Sequence, residues 1–198
     1  MGKIQRSGSF RPTAYRTYQT PFRSFVQPSL MPFSSAARKA AVLIHVSCSI
    51  GWIGAVAAFL ALAITGWKNT DLFVVRAAYI AMEYITWPVI VPLAFAALIS
   101  GVLLSLGTPW GLLRHYWIVF KLLINIVSIG LLLLHTGVIH QVAHAAAAGS
   151  LYPNDLMGPR TQLVEVSIAA LAVLLLVTML SIYKPRGLTS YGAQRSEK

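Results

Sequence analysis

Acidic residues are nearly missing from this chain: 5 of 198 residues are Asp or Glu, against 16 Lys and Arg, and there is 1 cysteine. With so few carboxylates and no close pair among them, general acid–base chemistry of the two-carboxylate type is left out. No glycine-rich phosphate loop or nucleophile triad motif takes its place. Cys48 on its own forms no intramolecular disulfide and carries no information on redox compartment. Strict polar–apolar alternation is also absent, which excludes a transmembrane β-barrel. What fills the chain instead is apolar: 57% of residues are hydrophobic and 11% charged, with a mean hydropathy of +0.68. A soluble domain does not have this composition.

The apolar residues gather in four runs, 41–66, 85–106, 116–142 and 163–183. Even the shortest, 21 residues, is roughly 30 Å long as a helix, enough for the hydrocarbon core of a bilayer. The expected fold is therefore all-α, an integral membrane antiparallel four-helix bundle spanning 36–184. It is preceded by a disordered basic arm at 1–35 and followed by a cytoplasmic tail at 185–198. The first run starts too late and runs too long for the core of a signal peptide.

The net charge of +11 points to the membrane surface and not to nucleic acid, because the cations sit in the arm and at the ends of the runs. Arg38 and Lys39 precede the first run, Arg114 lies between the second and third, and Lys184, Arg186, Arg195 and Lys198 follow the fourth. On the other side Lys68, Arg76 and Arg160 are offset by Asp71, Glu83, Asp155 and Glu165. The positive-inside rule then places both termini in the cytoplasm. The arm, with Lys3, Arg6, Arg11, Arg16 and Arg23 and no acid, suits anionic lipid headgroups. A transit peptide shares its Arg and Ser bias, but Pro12, Pro21 and Pro28 break any amphipathic helix. Met31 is an alternative start.

Connections are expected to be short. Residues 68–84 suggest a brief interfacial helix capped by Asn69, Thr70 or Asp71. Pro88 and Pro92 predict a kink near the outer end of the second span. Gly51, Gly54, Ala58, Ala97 and Gly101 offer close helix contact.

Polar residues inside the runs are the candidates for function. Arg114, Trp117, Lys121, Asn125, Ser128, Leu132 and His135 recur at helical spacing on one stripe of the third span, and His45, Cys48, Ser49 and Trp52 share a face of the first. Intramembrane Lys, His and Asn are costly without partners, so the two stripes are expected to meet inside the bundle. His45 and Lys121 each fall about one turn in from the cytoplasmic side, at roughly 6–8 Å depth. The plainer alternative is that Lys121 snorkels and His45 bonds a neighbouring carbonyl. His140 and His144 have the spacing of a two-nitrogen metal site, with no further ligand evident in sequence. Glu83 is expected to partner His135.

His45 followed by Gly51-Trp-Ile-Gly-Ala, and Tyr116-Trp-Ile-Val-Phe-Lys121 with His135, resemble a group of small bacterial four-helix membrane proteins. That group includes the copper-resistance D-like (CopD-like) proteins, the HemJ-type protoporphyrinogen oxidases and uncharacterised integral membrane proteins. The resemblance runs from about Met31 to Gly192. It implies a multi-pass protein of the bacterial cytoplasmic (inner) membrane. It also implies haem b, with His45 as iron ligand and Lys121 as positive partner for a propionate or substrate; Trp52 and Asn125 join the candidate cofactor-binding residues from the two polar stripes. The prolines of the second span, the basic arm and the long fourth connection depart from the HemJ-type pattern. Three functions remain open: a haem- or porphyrin-binding protein, a non-enzymatic subunit packed against other membrane subunits, or a transporter of a metal or small solute.

Overall fold

The computed structural model describes residues 33–107, 112, 115–152 and 156–183. The basic arm up to residue 32, Met31 within it, Arg114, Asp155 and the tail from Lys184 lie outside the described residues. The elements are α1 (Ser35–Lys68), α2 (Leu72–Ile85), a π turn (Thr86–Ile90), α3 (Val91–Leu106), α4 (Tyr116–Ala147) and α5 (Met157–Tyr183). No strand occurs among the described residues.

The π turn joins α2 and α3 into one continuous helix, so four helices are long and apolar enough to cross a membrane, with 34, 35, 32 and 27 residues. At 1.5 Å per residue they measure roughly 40–53 Å, well beyond the ~30 Å of a hydrocarbon core. The chain thus has the make-up of a multi-pass membrane protein. Large apolar side chains on outward faces agree with that, among them Leu43, Phe73, Leu134 and Ile182.

Local chemistry fixes the helix ends. Ser34 caps α1 by accepting from the Ala37 N–H at 3.2 Å, and α1 stops at Lys68. Asp71 caps α2 through the Phe73 N–H at 2.9 Å, while the Asn69 side chain accepts from the Asp71 N–H at 2.9 Å. The expected interfacial helix is therefore not separate: its mixed polarity belongs to the first turns of the second long helix, whose outer end carries polar groups. Gly149, with φ 71°, follows the end of α4 in the left-handed region.

Where an irregularity was expected, the backbone widens into a π turn. Pro88 offers no N–H to the residue four before it, and the Val91 N–H reaches back to the Thr86 carbonyl, five residues away. The Thr86 hydroxyl, fully buried, donates to the Met82 carbonyl at 2.7 Å.

The four long helices form a ring. α1 packs against α2, α3 and α5, and α4 packs against α2, α3 and α5, so α1 and α4 stand across the diagonal. The core draws Trp52, Val56, Phe59 and Ala63 from α1, Val75, Tyr79 and Met82 from α2, and Ile139, Val142 and Ala146 from α4. These spacings of three and four place one stripe of each helix inward. Buried residues of α1 begin only at Trp52. The half of the bundle near Ser35 is thus the more open one, with Val42, Leu43, Ile44, Val46 and Ile50 exposed.

Small residues serve unequally. Gly51 meets Leu93, and Gly101 lies under the His45 ring. An added Cβ at Gly54 would meet nothing within 4 Å, and Ala58 is exposed, so neither makes the close contact expected of it. A closer approach is at Gly66, where an ideal Cβ would lie 2.6 Å from the Tyr79 ring.

Candidate functional site

His45 is held on α1 by the carboxyl-terminal half of α3. Its Nδ1 lies 3.1 Å from the Ala97 carbonyl and 3.1 Å from Ser100 Oγ. Ser100 Oγ itself donates to the Ala96 carbonyl at 2.5 Å. The Ala97 carbonyl only accepts, and the Ser100 hydroxyl proton is already committed, so Nδ1 carries the imidazole hydrogen and donates to both. The neutral ring then has its lone pair on Nε2. A backbone carbonyl on Nδ1 is the usual device for presenting Nε2 to a metal. Gly101 makes room for the ring, since an ideal Cβ there would stand 3.0 Å from His45 Cε1.

Lys121 enters from the opposite corner. Its Nζ donates to Ser181 Oγ at 2.6 Å, leaving two N–H groups for another acceptor. α1 and α4 share no extended contact. The two stripes do not interlock directly, because each residue finds its hydrogen-bond partner on an adjacent helix.

Asn125, one turn further along α4, is half-buried and its amide makes no hydrogen bond with the described residues. Trp52 is buried at 5% exposure and belongs to the hydrophobic core. Cys48 is a half-buried free thiol.

At the other end of the bundle the pairing differs from expectation. Glu83 meets His140, Oε1 to Nδ1 at 2.6 Å, and not His135. His135 instead lies 2.7 Å from the Leu131 carbonyl and 3.3 Å from Gln162 Nε2. The His140 and His144 rings are 5.9 Å apart. Among the described residues no group of three or more His, Cys, Asp or Glu is placed to hold a metal ion.

Two arginines at this end were not legible as functional in sequence. Arg160, 1% exposed, donates from Nη2 to the Gly66 carbonyl at 2.5 Å and from Nε to Tyr79 Oη at 3.0 Å. It also stacks 5.4 Å from the Tyr79 ring centroid. Arg76 donates to the Gly149 carbonyl at 2.5 Å and to the Leu151 carbonyl at 3.5 Å. Both tie helix ends and loops together, which is a structural task. No family model, curated protein or solved structure matches the chain.

Proposed function

We propose that the chain is a protein of the bacterial cytoplasmic membrane, an antiparallel bundle with both termini inside, that holds haem b or a related porphyrin at the His45–Lys121 end. The antiparallel reading is supported by contacts at both ends: Phe33, just before α1, lies against Gly107, just after α3, while Gly66 near the end of α1 meets Tyr79 and Arg160 of α2 and α5. The orientation is supported by the cations Arg38 and Lys39 at the start of α1 and by the acids Asp71 and Glu83 at the other end.

One observation carries the haem reading: the His45 ring is pinned through Nδ1, so Nε2 offers a lone pair from the more open half of the bundle. With that donor chemistry His45 would hold the haem iron. Haem would supply a redox-active iron. The chain's own residues do the rest. Ala97 and Ser100 fix the tautomer and plane of His45, and Lys121 offers two N–H donors to a propionate in a low-dielectric setting.

Protein purified in mild detergent after haem supplementation is expected to show a Soret band that His45→Ala abolishes. Lys121→Ala should weaken haem retention and Lys121→Arg should retain more of it, since the charge survives. His140→Ala should leave the band unchanged. A colourless preparation would remove the haem reading. The half-buried amide of Asn125, without a partner among the described residues, favours a second reading in which α4 docks on another membrane subunit. Co-purification of a stoichiometric membrane protein, lost in Asn125→Leu, would support that.

A further inference from the structure

We infer that His140 and His144 form a binding site for a divalent first-row metal ion, oriented by Glu83, at the end of the bundle away from His45. This site stands apart from the proposed haem pocket.

Three observations converge. His140 and His144 are four residues apart on α4, one turn of helix, and their rings lie on the same side with centroids 5.9 Å apart and planes tilted by 49°. Both residues are exposed in the last two turns of α4, and the His140 side chain is 66% exposed, so no other part of the protein among the described residues covers them. Glu83, arriving from α2, accepts from His140 Nδ1 at 2.6 Å. That contact leaves Nε2 of His140 with its lone pair outward and raises its basicity, the carboxylate–histidine arrangement common behind metal-bound imidazoles.

An exposed surface histidine needs no carboxylate from another helix. Here Glu83 restrains the ring in the tautomer that ligates. The protein supplies two nitrogens, and water completes the shell, because no third His, Cys, Asp or Glu joins them among the described residues. Imidazole donors with open positions suit Zn²⁺ and Cu²⁺, with Cu²⁺ held more tightly by the general order of divalent affinities. Such a site exchanges its ion readily and has room for a further ligand from a partner or substrate.

The test uses full-length, tag-free protein in detergent, titrated with Zn²⁺ by calorimetry, with Cu²⁺ followed by electron paramagnetic resonance. One Zn²⁺ per chain is expected, and the Cu²⁺ spectrum should carry the splitting of two nitrogens. His144→Ala, which disturbs no side-chain hydrogen bond of the fold, should reduce the spectrum to one nitrogen and weaken Zn²⁺ binding at least tenfold. Glu83→Gln should weaken it by about 10- to 100-fold, as loss of an outer carboxylate partner does. His135→Ala and His45→Ala should leave it intact, which separates this site from the fate of the haem reading. Absence of saturable Zn²⁺ binding, or binding indifferent to His144→Ala, would overturn the proposal.

Discussion

His45 and Asn125 show how differently two polar residues sit in an apolar helix. His45 has exchanged water for a carbonyl and a hydroxyl on α3, so its ring is fixed. Asn125 has no such exchange among the described residues, and a polar amide left without a partner in an apolar setting costs up to about 1–3 kcal/mol when fully buried. Being half-buried, it should fall at the low end of that range. Asn125→Leu is therefore expected to raise the thermal midpoint of the isolated protein in detergent, followed by fluorescence or calorimetry. A fall would mean that the amide is satisfied by a group outside the described residues. The helical spacing of His45 and Lys121 was legible in sequence because polar residues in a membrane span stand out. Their partners were not. Ala97 contributes only its backbone carbonyl, and Ser181 looks like any serine near a helix end.

At the scale of elements, the π turn decides who meets whom. Glu83 and its contact with His140 lie before Thr86–Ile90, and Ala97 and Ser100, which hold His45, lie after it. One residue more or less in a regular helix rotates everything beyond it by about 100°, so the widened turn sets the phase between the two contacts. Deleting Val89 should convert the π turn to ordinary helix and preserve both contacts, whereas deleting Ile99 within α3 should swing Ser100 away from His45. Nitrogen chemical shifts of the His45 ring, which report its hydrogen-bonded Nδ1–H, would compare the two, with the signal kept in the first and lost in the second. Pro88 and Pro92 announced an irregularity in sequence, but proline spacing does not distinguish a kink from a wide turn. The expected Glu83–His135 pair rested on depth alone, which does not separate two histidines five residues apart on α4. The polar start of α2 misled in another way: Asn69, Asp71 and Arg76 read as the edge of a membrane, yet they begin a helix that continues for 35 residues.

Over the whole molecule, hydropathy alone disclosed four spans, since length and apolar content are local properties. The closure of the far end was invisible because it joins residues 94 and 81 positions apart, Arg160 to Gly66 and to Tyr79. It depends on a guanidinium fork, a bare carbonyl and a glycine thin enough for a ring to lie against it. Gly66→Ala is expected to destabilise the protein by about 1–3 kcal/mol through overpacking against Tyr79. Arg160→Lys should cost at least about 2 kcal/mol, because an ammonium cannot reach both the carbonyl and the phenol in one plane. Thermal unfolding in detergent measures both. Arg160 stands at the start of α5, while its partners belong to the earlier α1 and α2. During biogenesis the early helices must therefore wait, with the Gly66 carbonyl lacking the arginine and the Tyr79 hydroxyl unmatched, until α5 emerges. Until α5 is in place that corner of the bundle stays open, so closure of this end reports that α1, α2 and α5 have come together.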